Sequence, residues 1–375
     1  MERPNPAVIV LVVLILAMAG VVLMELRTVG IEESLNFQEK TLKPATENGI
    51  LGNHRSVVST RVITDMAGRQ VTIPANVTKV VGSFFIYYLA PEKVGNWESN
   101  QTNETRIYYS ALPDTLPVVS SSSKNYEAQI ALHPDLIFIS CGDGNAIRYD
   151  SVNLTQEKYG AISVVCLNNT QNVTNAGQVF RFLGNVLDRP ERADELIRYY
   201  EGTLDEIQEK TSAIPKEKRV RVYYAEGANG LATDASGSIH SQLIDLCGGN
   251  NVAGAGGHQS GSGQTAVTME SVLMWKPDVI ITTSREFAIN VHNDSSWQRI
   301  PAVQNDRISV TPNQPGNWFD RSPSFYRIAG MSWTAHVLYP DLFTRDWLKS
   351  KIREYFSVYY RYDISDADLD DLLDR

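Results

Sequence analysis

Cysteine is scarce. Three residues in 375 cannot build a disulfide scaffold or supply a four-cysteine zinc centre. Basic charge is in deficit: 34 Lys and Arg against 43 Asp and Glu leave a net charge of −9. A polyanion-binding protein should be basic, so no nucleic-acid partner is expected. The six histidines form no close pair, and HExxH and CxxC are both absent. Capture of a free metal ion by a preformed all-protein site is therefore not expected. Also missing are Gly-x-Ser-x-Gly, a P-loop and an opposed carboxylate pair; Gly142-Asp143-Gly144 is a partial glycine fingerprint that breaks at Asn145-Ala146. The chain does not read as an enzyme. What remains, 43% hydrophobic and 21% charged residues, is ordinary for a globular protein of two or three domains.

One long apolar run is present, Ala7–Met24, preceded by Arg3. Its length as a helix is about 27 Å, close to a bilayer core. It serves either as an uncleaved anchor or as a signal segment cut after Ala17-Met18-Ala19. No cysteine follows it, so a lipoprotein anchor is excluded. Either way the remainder is exported, to a cell surface or periplasm-equivalent, tethered by this segment or secreted after cleavage. Seven Asn-x-Ser/Thr sequons, at Asn76, Asn100, Asn103, Asn153, Asn168, Asn172 and Asn293, fit a glycosylated exterior or simply an Asn- and Thr-rich surface.

The chain divides into a membrane or signal segment (1–24), a polar tether (25–59), an N-terminal α/β lobe (60–188), a linking helix (189–214), a C-terminal α/β lobe (215–345) and a helical extension (346–375). Short β-branched runs at Val80-Val81, Leu136–Ile139, Ile162–Val165, Val220–Tyr224, Val279–Ile281 and Ile308–Val310 alternate with helical stretches. This is the pattern of buried, mainly parallel sheets. Between the two sets Ala193, Leu196, Ile197, Tyr200, Leu204 and Ile207 fall on one face of a long helix opened by Pro190. The predicted fold is two Rossmann-like lobes joined by a single long helix, with a ligand cleft between them. The acidic end, from Ser365 to Asp368, resembles a capping box and predicts a short surface helix.

One structural device occurs twice. Glu127 precedes His133-Pro134-Asp135 and the run from Leu136; Glu270 precedes Lys276-Pro277-Asp278 and the run from Val279. The glutamate-to-proline spacing is the same in both. A duplication of one lobe unit accounts for this.

These features together resemble the substrate-binding proteins of ABC importers for iron-siderophores, haem and cobalamin. Residues 63–74 look like that family's opening hairpin, the two Glu…Pro-Asp units like its paired lobe motifs, residues 237–252 like its second-lobe helix, and 318–324 like its late cleft loop; the resemblance spans about residues 60–345. It implies a cleft-bound ligand, no cofactor of the protein's own, and a transported ligand containing iron or another transition metal. It also implies an ABC permease with a separate ATPase subunit as partner, and docking of that permease through Glu127 and Glu270. The alternatives are a non-transport binding module of the same fold or an exported enzyme acting on a metal chelate.

Cleft residues are expected in loops at the carboxyl ends of the strands: 83–88, 120–124, 141–144, 224–229, 254–263 and 318–321. The candidate ligand contacts are Tyr87, Tyr88, Ser122, Glu226, His258, Trp318 and Arg321. Aromatic faces bury a flat or chelated ligand, and Trp318 either does this or belongs to the core. Arg321 pairs either with a ligand carboxylate or with Asp320. His258, in a Gly/Ser loop, is the candidate metal-ligating imidazole, while His240 is read as a helix residue. Cys141 and Cys166 can bridge after successive strands, and Cys247 reads as a buried free thiol.

Overall fold

An antiparallel hairpin opens the fold. β1 (Thr60–Thr64) and β2 (Gln70–Pro74) pair from Thr60↔Pro74 to Thr64↔Gln70. Asp65 sets its turn: one carboxylate oxygen accepts the backbone N–H groups of Ala67 and Arg69 at 3.0 Å each, the other the Arg69 guanidinium at 2.7 Å and the Cys166 N–H at 3.2 Å. The structure, a computed structural model, describes residues 59–82, 85–120, 125–142, 147–168, 170–254, 264–321 and 325–374.

The first lobe continues with β3 (Val80–Val81), α1 (Phe85–Leu89), α2 (Tyr126–Ile130), β4 (Leu136–Gly142), α3 (Tyr149–Tyr159), β5 (Ser163–Asn168) and α4 (Ala176–Val186). Its sheet is parallel, in the order β3-β4-β5. α5 (Pro190–Ser212) then runs for 23 residues, roughly 34 Å at the helical rise. It buries Ala193, Leu196, Ile197, Tyr199, Tyr200 and Ile207; Leu204 is only half-buried.

The second lobe comprises β6 (Arg221–Ala225), β7 (Ala232–Thr233), α6 (Gln242–Leu246), β8 (Asn250–Asn251), β9 (Thr265–Ala266), α7 (Met269–Trp275), β10 (Val279–Thr282), α8 (Arg285–Asn290), β11 (Ile308–Val310) and α9 (Tyr326–Leu338). Four strands form a parallel sheet in the order β11-β10-β6-β8, while β7 and β9 pair antiparallel. Every residue of β10 is buried, as the unbroken apolar run requires of a strand covered on both faces.

The duplicated device has a common geometry. In each copy the Pro-Asp carboxylate fastens the neighbouring strand. Asp135 accepts Thr78 N–H at 2.5 Å and Lys79 N–H at 2.9 Å; Asp278 accepts Arg221 N–H at 3.0 Å and its guanidinium at 2.7 Å. Each aspartate N–H returns a bond of 2.8 Å, to the carbonyl of Lys79 or Arg221. The preceding turns carry His133 and Lys276 at φ 50° and 46°, the left-handed geometry that ends a helix. Both glutamate helices are N-capped, by Asn125 and Thr268.

The C-terminal segment departs from the expected surface extension. α10 (Arg345–Tyr355) leads into a wide turn, Phe356–Tyr360, before α11 (Asp366–Asp374). Tyr355, Phe356, Tyr359 and Tyr360 are fully buried in the main core beside α1 and α5. The Tyr359 hydroxyl donates to the Leu196 carbonyl at 2.9 Å and the Tyr199 hydroxyl to the Lys351 carbonyl at 2.8 Å. α11 is capped as expected, Ser365 Oγ accepting Asp368 N–H at 3.1 Å, but Leu369 and Leu372 tuck it onto the core.

No helix among the described residues is long and apolar enough to cross a membrane. The run Ala7–Met24 and the tether to residue 58 lie outside the described residues.

Candidate functional site

The lobes meet through loops that follow the carboxyl ends of their strands. Beyond β5, Gln171 accepts the Arg327 guanidinium of α9 at 2.8 Å, and Asn172 and Val173 exchange bonds of 2.8 and 3.0 Å with the Gln242 carboxamide of α6. Farther along, the Thr105 hydroxyl donates to Gln314 at 3.0 Å and the Tyr109 and Tyr326 hydroxyls share a bond of 2.7 Å.

On the second lobe, this edge carries a cluster of charge. Glu226 follows β6, Asp234 follows β7, His240 lies in the turn before α6, and Asp320 and Arg321 precede α9. Arg321 donates to Glu226 at 2.7 Å and Asp234 at 3.0 Å, with Asp320 at 3.5 Å. Asp320 also receives the Tyr224 hydroxyl at 2.8 Å and faces His240 Nδ1 at 2.5 Å. The three acids are buried, whereas the Arg321 side chain is 33% exposed. Burial, and then the charge of Asp234, push the Glu226 carboxyl upward despite Arg321. Burial brings Arg327 down to about 10; its guanidinium is spent on the Gln171 and Ile239 carbonyls. Among the described residues, the groups able to ligate a metal ion together are Asp234, His240 and Asp320, one atom of each lying within 4.8 Å of the others.

A pocket of about 200 Å³ opens at the ends of β10 and β11, lined by Thr283, Arg285, Thr311, Asn313 and Asn317 among others; Asn317 Oδ1 accepts the Asp320 N–H at 2.8 Å. Arg285 is exposed there.

Several expected contacts stand elsewhere. Tyr87, Tyr88 and Trp318 are 0%, 2% and 0% exposed, so they are core residues and present no face to a ligand. The Tyr87 hydroxyl donates to the Tyr108 carbonyl at 3.0 Å, Tyr88 bonds Tyr360 at 2.9 Å, and the Trp318 indole donates to the Gln314 carbonyl at 2.8 Å. With their single polar atoms satisfied, the rings bury without penalty. Ser122 and His258 lie outside the described residues. His240 sits in a turn rather than a helix. Glu226 and Arg321 are brought together, and the Asp320 pairing is one of three that Arg321 makes.

Cys141 and Cys166 lie within β4 and β5 rather than beyond them, and are joined as a disulfide with Cα atoms 5.6 Å apart. Cys247 is buried and free. Asn76, Asn100, Asn103, Asn153 and Asn293 are exposed, while Asn168 and Asn172 are half-buried at the edge where the lobes meet. Glu127 and Glu270 are exposed, one in the first turn of α2 and the other of α7. The backbone N–H of Glu270 and the Thr268 hydroxyl hold its carboxyl below the usual range.

The sequence profile of the periplasmic binding protein family matches residues 89–315. The chain belongs to that family. This periplasmic binding protein is 25% identical over 332 residues to the molybdate-binding protein MolA of Haemophilus influenzae, covering 82% of this chain and 92% of MolA. A vitamin B12-binding protein of Vibrio cholerae is 26% identical over 192 residues, 51% of this chain and 64% of that protein. Among solved structures, an ABC transporter solute-binding protein from Sulfurospirillum deleyianum superposes with a TM-score of 0.73 at 29% identity, covering 84% of this chain and 99% of that one. The role that accompanies membership is that of a substrate-binding receptor for an ABC transporter, and the relatives named are transport proteins rather than enzymes.

Proposed function

We propose that this receptor captures a metal-containing small molecule outside the cytoplasm and delivers it to an ABC permease powered by a separate ATPase subunit. The observation that carries the reading is the polar edge of the second lobe, where half-exposed Arg321 is paired with the buried Glu226 and Asp234 carboxylates. Such an edge offers anionic and cationic groups to a complex that carries both, as a metal chelate does. The names of two relatives support it, since molybdate and vitamin B12 each contain a transition metal. Iron-siderophore, haem and cobalamin-like ligands all belong to the class. The N-terminal segment either tethers the protein or directs its secretion, and the exposed sequons are its glycosylation sites. Ligand that bridges the lobes lowers the free energy of the closed state, and closure fixes the spacing of Glu127 and Glu270 for docking.

Thermal shift of the full chain against ferric siderophores, haem, cobalamin and molybdate tests the reading. A ligand at a hundred times its dissociation constant adds ~2.7 kcal/mol, a shift that is read directly. A folded protein that melts at one temperature with every compound in the panel overturns it.

A further inference from the structure

The chain passes between the lobes twice. α5 makes the first crossing. The second is the C-terminal segment, which leaves α9 of the second lobe, runs through α10 and sets its wide turn against the first lobe. Both lobes hold that turn. On the second-lobe side the Tyr355 hydroxyl donates to the Phe325 carbonyl at 3.4 Å, and the Phe356 and Trp318 ring centroids are 6.4 Å apart. On the first-lobe side Tyr360 and Tyr88 share a hydroxyl bond of 2.9 Å, the Tyr87 hydroxyl reaches the Tyr360 carbonyl at 3.4 Å, and Phe356 stacks on Tyr108 at 5.0 Å. α5 adds Arg192, whose guanidinium donates to the Tyr88 carbonyl at 2.9 Å and to the Val358 carbonyl. Arg361 closes the turn with a left-handed backbone, φ 54°. Its guanidinium donates to the Tyr87 and Tyr88 carbonyls at 3.4 and 3.1 Å. Those carbonyls belong to the last turn of α1, where helical donors run out.

We propose that residues 356–361 are an inter-lobe strap that holds the two lobes near one separation before any ligand arrives. Lobes joined by one linker move freely unless their interface is large and apolar. Here Phe356 and Tyr360 belong to a single apolar core that also takes in Leu136 and Val165 of the first sheet and Val222 and Val279 of the second. One linking helix alone leaves the lobes free to swing about its ends. A second crossing, wedged between both lobes and bonded to each, resists that swing. Ligand then selects among closely spaced states rather than drawing together two widely parted lobes. Closure becomes a small adjustment, and the separation of Glu127 from Glu270 changes little between the free and the loaded receptor. The aromatic rings supply the bulk of the wedge, while Arg361, whose side chain reaches back across the turn, is the positioning residue that fastens it to α1.

The test measures the distance between the lobes in the purified full chain without ligand. Spin labels at Asn153→Cys and Asn293→Cys, both exposed and one on each lobe, report it by double electron–electron resonance, with buried Cys247 left unlabelled. Otherwise unsubstituted protein should give one narrow distance distribution. Arg361→Met keeps the aliphatic stem and the backbone demand but removes both bonds to α1. Tyr88→Phe with Tyr360→Phe removes the shared hydroxyl bond without leaving an orphaned partner. Each should add a second maximum to the distribution. Arg345→Met is the control, since its ion pairs to Asp370 and Asp374 stay within the C-terminal segment; it should lower the melting temperature and leave the distribution single. Circular dichroism confirms that each variant is folded, and R361M alone decides if the tyrosine pair does not tolerate substitution. A broad distribution in the unsubstituted lobes overturns the strap, as does an unchanged narrow one in folded R361M. A second maximum in R345M as well would assign the effect to general loosening and overturn it too. No ligand enters the measurement, so each of these outcomes leaves the receptor reading where it stands.

Discussion

At the scale of single residues, Trp318 shows how one side chain can be read two ways. An aromatic residue in a loop before a helix has the same local sequence whether it lines a cleft or fills a core. Here its indole N–H is satisfied four residues back at Gln314 and its ring is sealed. Trp318→Ala should therefore destabilise the fold by about 3–5 kcal/mol, seen as a lower denaturant midpoint; a variant as stable as wild type would return Trp318 to the binding surface. Tyr87 and Tyr88 were opaque for a different reason. What covers them is the Tyr355–Tyr360 segment, some 270 positions later, and no local pattern announces a contact at that range. The Glu226–Arg321 pair was partly legible, because both fall where strands end. Asp320 was legible as a partner of Arg321, whereas Asp234 and His240 were not, since each stands in a separate loop with no spacing that links it to the others.

At the scale of elements, the alternation of buried runs and helices located β3, β4, β5, β6, β10 and β11 of the two parallel sheets, because burial on both faces leaves an unbroken apolar signature. β7, β8 and β9 are two residues each of Ala, Thr or Asn and carry no apolar run, unlike the equally short Val80-Val81 of β3. The repeated Pro-Asp turn was visible from spacing alone, and its structural use yields a prediction. Asp135→Asn and Asp278→Asn each weaken a carboxylate that holds a strand start, at a cost of about 1–2 kcal/mol. Because the two serve separate sheets, the double variant should equal the sum within ~0.5 kcal/mol; a large deviation in equilibrium denaturation would mean the turns are coupled. A second prediction concerns the clamp between α5 and α10. Partial burial pushes the Glu206 carboxyl up, but bonds from Lys351, Lys210 and Trp347 outweigh it and bring it down to about 2. A carboxylate with a lowered folded pKa contributes stability above its unfolded value, near 4.5, and loses it as pH falls toward 2. Melts of wild type and Glu206→Gln should thus differ above pH ~5 and converge toward pH 2. A gap independent of pH would exclude the ionised clamp.

At the scale of the whole molecule, two lobes carrying one device each bring a consequence that neither lobe has alone. α2 and α7 are short, N-capped and each exposes a glutamate in its first turn. A carboxylate in the first turn gains from the helix N-terminus and is placed for charge-assisted bonds to a cationic partner. Apolar Met274, 72% exposed one turn beyond Glu270, adds contact area at the same place. If these two carboxylates dock the permease, a single reversal, Glu127→Arg or Glu270→Arg, leaves one lobe attached and should reduce uptake. The double reversal opposes like charges at both lobes and should abolish it. Neither residue belongs to the charged edge near Arg321, so ligand affinity measured on the purified double variant should match wild type. Transport at the normal rate by that variant would remove the docking role. Loss of ligand affinity alongside transport would show instead that the reversals act through the fold.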